Sequence, residues 1–417
     1  MTDGRTPTLA RVVLAGSLDT KGDEYGFVRD RLASAGIPSF VVDTGVLGVP
    51  TLPADVTRAD VARAGGADLE ALARSGDRSQ AMIAMARGAA RTIRELHEKG
   101  AVSAVMVLGG SNAGFVMGQI ASALPIGVPK ILVSTIVAGD TRPYVGTSDL
   151  TMMYPVVDIA GLNSISIPVL SRAADAAAGM IGGAPIASAR TVGPTVACTM
   201  FGVTTSCVTA VHDAIVAQGS EVHTFHANGT GGRTLEAMIR SGLFDVVADI
   251  TTTELADELC GGVCSAGPER LDAAARSGVP QVVSLGALDM VNFGAPDTVP
   301  QKYRGRLLYP HNPAVTLMRT DAAECAELGR IIARKLNVAT AFTEVLAPAR
   351  GFSQISVEGA PFFDPEADTA LIDSLREHLQ PHVPLRLIDA AINDPDFSSE
   401  VIDALGRALG HTKGSNA

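Results

Sequence analysis

The sequence predicts an α/β protein built from parallel sheets with helices on both faces, and three observations carry that expectation. Short apolar runs alternate with helix-period segments along nearly all of its 417 residues, the pattern of repeated strand–helix–strand units. Glycine is abundant, at 43 residues, while aromatic residues make up only 4%, which suits tight strand-to-helix turns and closely packed helices. Hydrophobic residues amount to 47% and charged residues to 18%. That balance excludes a disordered or fibrous chain and, at this length, supplies cores for two domains.

In the first half, Arg11 to Ala15 reads as a strand, followed by the loop Gly16-Ser17-Leu18-Asp19-Thr20-Lys21-Gly22. A helix through Phe27, Val28, Arg31 and Leu32 stops near Gly36, and Ser39 to Val42 is the next strand. Residues 44–78 form a long excursion with one or two short helices, and connections of that length are usually functional or form a cover. A helix from Ser79 to Lys99 leads to a buried strand over 102–108. The stretch from Gly100 to Pro129 carries no charged residue and superficially resembles a membrane span. Gly109-Gly110-Ser111-Asn112-Ala113-Gly114 and Pro125 interrupt it, whereas a spanning helix needs about 20 continuous apolar residues. It is read as a strand, a turn and a helix from Asn112 to Leu124, with no membrane association. Lys130 to Val133 is a further strand running into the loop Ser134 to Arg142, and a helix from Asn163 to Met180 closes the half.

Gly182 to Pro194, rich in Gly, Ala and Pro, is the expected linker and places the subdomains at 1–184 and 185–417. The pattern then restarts: strand Thr195 to Met200, turn Gly202 to Thr205, helix Ser206 to Gln218, strand Glu221 to Phe225. The glycine-rich turn His226 to Gly232, a helix to Arg240, and strands Asp245 to Ile250 and Gln281 to Ser284 continue it. Helices near 321–336, 367–378 and 397–409 are expected to accompany completion of the same sheet. Gly410 to Ala417 is expected to be a frayed tail. Each half opens with a strand, a Gly- and Thr-containing turn, a helix ending in Gly, and a second strand, which predicts a shared topology.

The formal charge of −11 argues against a polyanion-binding surface, and the scarcity of aromatic residues against stacking on single strands, so no nucleic-acid partner is expected. Five cysteines without a CxxC pair fit a reduced, cytoplasmic protein. The N-terminal stretch has neither the apolar core nor the cleavage site of a signal peptide.

Ligands of open α/β sheets bind beyond the carboxyl ends of the strands, which selects a few loops. Gly16, Ser17, Asp19, Thr20 and Lys21 follow the first strand, where small residues let backbone amides face a phosphate and Lys21 adds a charge. The loop matches neither GxxxxGK[ST] nor GxGxxG; an ordinary turn with Asp19 or Thr20 as N-cap is the alternative. Gly109, Gly110, Ser111 and Asn112 follow a buried strand and permit close approach of an anion or ribose, or serve only close helix packing. Ser134 and Thr135, with Gly146 to Asp149, are the neighbouring polar loops. In the second half, His226, the 249–254 segment with Glu254, Asp289 and His311 are candidates for acid–base or metal chemistry at one mouth. Thr251 and Glu254 also have the spacing of a capping box. No HExxH or Cys/His zinc spacing occurs, so no metal ligand set is assigned. Cys207 at a helix start is a nucleophile or a buried small residue, and Cys260 and Cys264 share a helix face. Thr320 reads as a helix N-cap, with Arg319 able to clamp a carboxylate or phosphate.

The blocks GSLDTKGDE (16–24), LGGSNAG (108–114), ADITTTELADEL (248–259), GALDMVNFG (286–294) and LYPHNPAVTLMRT (308–320) resemble the tomato mosaic virus resistance protein-like ATP-binding family, over about residues 8–410. The resemblance implies two Rossmann-like subdomains, a homodimer, and ATP, with Mg, in the N-terminal subdomain, its phosphates on Gly16 to Lys21 and Gly109 to Asn112. Relatives that carry a further barrel resembling phosphoenolpyruvate hydrolases imply a separate barrel protein of that kind as a partner. Two functions are therefore expected: an ATP-binding protein, or a hydrolase or C–C bond-cleaving enzyme. The enzyme would act on a small acidic or acyl ligand between the subdomains, using the polar loops of the second half.

Overall fold

A computed structural model describes residues 11–182 and 193–414. The chain divides into two compact units, 1–187 and 188–417. Most of the expected linker, with the expected boundary at 184/185, lies outside the described residues.

The N-terminal unit runs β1 (Val12–Gly16), α1 (Leu18–Ser34), β2 (Ser39–Asp43), α2 (Arg58–Ala64), α3 (Leu69–Ser75), α4 (Arg78–Glu98), β3 (Ala104–Gly109), α5 (Ser111–Ala123), β4 (Lys130–Ser134), α6 (Arg142–Val145), β5 (Thr151–Met153) and α7 (Ser166–Gly182). Its sheet is parallel throughout, in the order β2-β1-β3-β4-β5. Strands β1, β3 and β4 are buried end to end because helices cover both faces. Alternate residues serve opposite cores. Val13, Ala15, Val105 and Val107 pack with Met85, Ile93, Met117 and Ile120 of α4 and α5. Val12, Leu14 and Met106 pack with Val28 and Leu32 of α1 and Leu170 and Ala173 of α7.

Two local expectations change. Helix α1 begins at Leu18, so Asp19 and Thr20 lie in its first turn and neither is the N-cap. Ser17 holds the N-cap position without a side-chain bond; the Leu18 amide instead donates to Asp43 Oδ1 at the end of β2, 3.2 Å away. The helix start is thus fixed by a neighbouring strand. The short edge strand β5 was not anticipated, since three residues carry no readable period.

The C-terminal unit contains β6 (Thr195–Met200), α8 (Thr205–Ala217), β7 (Glu221–His226), α9 (Thr230–Arg240), β8 (Val246–Thr251), α10 (Glu254–Cys260), α11 (Ala273–Ser277), β9 (Gln281–Gly286), β10 (Met290–Phe293), β11 (Leu308–Asn312), β12 (Val315–Arg319), α12 (Ala322–Leu336), β13 (Thr343–Pro348), α13 (Pro365–His378), β14 (Leu385–Ile388) and α14 (Pro395–Gly414). Its six-stranded sheet is also parallel, in the order β7-β6-β8-β9-β13-β14. Counting only the strands of each parallel sheet, both start 2-1-3-4-5, so the two Rossmann-like halves share their topology.

The chain after β9 does not simply complete that sheet. β10, β12 and β11 form a separate antiparallel sheet, and only β13 and β14 extend the parallel one. Helix α14 continues to Gly414, so residues 410–414 of the expected tail are helical; 415–417 lie outside the described residues. Helix α10 ends at Cys260 with Gly261 left-handed at φ 78°, which puts Cys264 beyond it, on no shared helix face. The N-cap of α12 is Asp321 rather than Thr320, in a reciprocal capping box with Glu324. Among the described residues, no helix is long and apolar enough to cross a membrane.

Candidate functional site

In the N-terminal sheet the chain proceeds from β1 to β2 on one side and returns to β3 on the other, so the topological switch point lies between the carboxyl ends of β1 and β3. Tyr25 of α1 holds that point open. Its hydroxyl donates to Ala15 O (2.6 Å) and accepts from Leu108 N (2.7 Å), bridging the two strands where they part. Burial raises the Tyr25 pKa, so the phenol keeps its proton. Gly16 has no side chain to spare here, because a Cβ would stand 2.0 Å from the Tyr25 hydroxyl.

Above Tyr25 opens a cleft of about 360 Å³, lined by Gly16, Ser17, Thr20 and Lys21 on one side and by Gly109, Gly110, Ser111 and Asn112 on the other. The two sequence-predicted loops therefore do converge. Gly109 adopts φ 145°, a conformation that favours glycine. Gly110 is the N-cap of α5 and has no side chain to cap it, so the first amides of that helix are left for solvent or a ligand. A second cavity of about 540 Å³ adjoins the cleft and shares Ser17, Thr20, Thr44, Arg78, Met82 and Asn112 with it.

The other predicted residues play different parts. Ser134 is buried, and its hydroxyl donates to Gly110 O at 3.0 Å, shaping the glycine loop from behind. Thr135, half-buried, follows it in a 3-10 turn. Asp19 accepts the Gly48 amide at 3.0 Å and so tethers the loop after β2. The Lys21 ammonium lines the cleft and donates to Ile159 O.

Arg78, Thr44 and Asp158 were not anticipated. Arg78 is the first residue of α4, is exposed, lines both cavities, and forms no ion pair among the described residues. A cation at the positive end of a helix is unfavourable by roughly 0.3–1 kcal/mol, and the Asp77 N-cap carboxylate beside it, which accepts the Gln80 amide at 2.9 Å, offsets that. No local signal singles it out, because Asp77-Arg78 at a helix start reads as an ordinary capped turn. Asp43, at the end of β2 where many dinucleotide sites keep a ribose-binding acid, is already engaged: it accepts Leu18 N, Gly45 N and Arg58 Nε, the last at 2.8 Å.

In the C-terminal unit the predicted residues do not form one open mouth. Glu254 is fully buried and accepts the amides of Gly229 (2.6 Å) and Gly232 (3.0 Å) as well as Arg270 Nε (2.6 Å). The glycine turn His226 to Gly232 thus wraps an internal carboxylate. The Thr251 hydroxyl meets Thr199 O and the Thr204 hydroxyl, so no capping box forms with Glu254. Arg270 is also fully buried; burial opposes its charge, but Asp249, Glu254 and Glu236 around it hold it protonated. Asp289 is buried, accepts the Ser353 hydroxyl at 2.7 Å, and has its pKa raised by burial. His226 and His311 are exposed. His226 stacks on Phe201 at the sheet edge, 5.4 Å between ring centroids, and His311 lies on β11 of the small antiparallel sheet. Arg319 is buried against Asp368 (2.6 Å) and Phe362 O and cannot clamp a ligand. Burial pushes the Cys207 thiol up to about 11, which removes the nucleophile reading. Among the described residues, no group of three or more His, Cys, Asp or Glu side chains could hold a metal.

Residues 10–185 match the N-terminal domain of the Uncharacterised protein family (UPF0261), and residues 193–409 match its C-terminal domain. A UPF0261 protein of Clostridium tetani is 43% identical over 93% of this chain and 96% of its own length. The ToMV resistance protein Tm-1(GCR237) of Solanum lycopersicum is 37% identical over 94% of this chain but only 55% of its own length. A solved UDP-N-acetylglucosamine 2-epimerase from Rickettsia bellii aligns over 98% of both chains at 9% identity, but its TM-score of 0.23 is too low to carry an argument. With both halves matched along nearly their full length, the chain belongs to the UPF0261 family.

Proposed function

We propose that this protein binds ATP, with the nucleotide's phosphates in the switch-point cleft of the N-terminal unit. The carrying observation is the convergence of Gly16-Ser17 and Gly109-Gly110-Ser111-Asn112 on one cleft that Lys21 and Arg78 also line. Small residues give a phosphate access to backbone amides there, and two cations supply the compensating charge. Asp158 is a carboxylate lining the same cleft. Magnesium on a nucleotide needs only one or two protein carboxylates beside the phosphate oxygens, so Asp158 would hold it, and the ion would neutralise phosphate charge. The resemblance to an ATP-binding family is what names ATP among nucleotides.

Native mass spectrometry with added Mg-ATP, followed by calorimetric titration, tests this reading. A one-to-one adduct is expected, and Arg78→Ala and Lys21→Ala should each weaken binding about tenfold or more, the loss of a charge-assisted hydrogen bond. His226→Ala and His311→Ala should leave the affinity unchanged. No adduct at millimolar Mg-ATP would sink the proposal.

A further inference from the structure

We infer that residues 154–160, between β5 and α7, form a strap that a magnesium-loaded phosphate ligand draws onto the cleft and a magnesium-free one does not. This inference rests on the phosphate assignment above and gives that site a regulation: the strap's position follows the cation state of the ligand. The strap's own hydrogen bonds are local turns, from Val157 N to Pro155 O (2.8 Å), Ala160 N to Asp158 O (3.0 Å) and Ile159 N to Asp158 Oδ1 (2.9 Å). Among the described residues, the hydrogen bond that ties it to the rest of the unit runs from Lys21 Nζ to Ile159 O. The Ile159 side chain is buried in the core shared with α1 and α7. Immediately after the strap, Gly161 is fastened on both sides: its amide donates to Glu24 Oε1 (2.6 Å) and its carbonyl accepts the Ser166 hydroxyl (3.1 Å). Residues 154–158 therefore span from β5 to an anchor at Ile159 and Gly161.

That span has the marks of a segment that moves. Tyr154 and Val156 are 46% and 60% exposed, and Val156 sits at φ 70°, a left-handed conformation that a β-branched residue rarely adopts. Exposed apolar side chains and a strained residue place it at the low-stability end of the unit, from which ligand-responsive loops are drawn. Its last residue, Asp158, is exposed and lines the cleft. A bare phosphate there faces a like charge and repels it. With magnesium on the phosphates, the same carboxylate gains a cation to approach, and that contact is made only with the strap drawn in. A ligand shifts a conformational equilibrium only through such a difference. Lys21 links the strap to the phosphate end. An ammonium has three donors, enough to hold a phosphate and Ile159 O together. Lys21 also sits at a kink in α1, with non-helical φ −131° and ψ 17°, so the first turn of the helix is free to adjust with it.

The test is amide hydrogen exchange of the full chain, followed by mass spectrometry, in three states: no ligand, ATP with magnesium, and ATP with EDTA, each ATP concentration saturating. Peptides over the glycine loop, 109–112, report occupancy of the cleft and should be protected in both ATP states. Peptides over 154–158 should exchange about tenfold more slowly with Mg-ATP than without ligand, and no more slowly with ATP in EDTA. Asp158→Asn, at an exposed position where the variant will fold, should keep the glycine-loop protection by Mg-ATP and lose that of the strap. Strap protection that is equal with and without magnesium, absent while the glycine loop is protected, or retained in Asp158→Asn would overturn the strap and leave the phosphate cleft standing. Protection of neither segment would overturn the phosphate cleft itself, and this inference with it.

Discussion

Tyr25 is the residue on which the cleft's shape depends. Its hydroxyl takes the place of a strand-to-strand bond between β1 and β3, accepting the Leu108 amide in a fully buried setting. Tyr25→Phe leaves that N–H unpaired, and a buried unsatisfied donor costs about 1–3 kcal/mol. Urea unfolding should show a loss of that size, together with weakened ATP binding as the strand ends relax; a loss under about 0.5 kcal/mol would mean that the bridge is dispensable. The signal in the sequence is slight, because a tyrosine on an apolar helix face reads as ordinary core. Gly16 reads as a ligand-facing glycine, yet its lack of a side chain also serves Tyr25.

Helix α10 illustrates how an element can carry a titration. Asp257, at its middle, accepts the amides of Cys264 and Asn292 and the Asn292 side chain. Burial nevertheless raises its pKa to about 7 from 3.8. The folded state then binds more protons than the unfolded state between those values, so this group's contribution to stability is full below about pH 4 and is lost as pH rises to about 7. The stability of wild type relative to Asp257→Asn, followed by chemical denaturation from pH 4 to 8, should fall through that window and level off above it. A flat difference, or one that rises with pH, would refute the assignment. The glycine turn after β7 is the counterpart misreading. A ring of amides suits a bound anion equally well whether it comes from solvent or from the chain, and here Glu254 supplies it.

At the scale of the molecule, each unit has its own parallel sheet and its own buried cores. Domains built that way can fold alone. Fragments 1–187 and 188–417 should each give a cooperative thermal transition by circular dichroism, with ATP raising the midpoint of the first alone. A fragment that stays molten, or a nucleotide shift in the second, would contradict the division of labour proposed here.

The alternation of strands and helices, the shared topology of the halves and the two glycine loops as candidate ligand contacts were legible in the sequence. Each of these is written in local periodicity or in small residues that directly follow an apolar run. Tertiary structure alone decided which polar residues were free to meet a ligand. Asp43 and Asp19 are committed to Leu18, Gly45 and Gly48, and Glu254 to Arg270 and its own glycine turn, while Arg78 lines the cleft and forms no ion pair among the described residues. A charged side chain's availability depends on partners far away along the chain, and no local pattern records them. The antiparallel strands β10 to β12 were hidden for the same reason: their pairing is long-range, and their short runs look like any other strand until the partners are known.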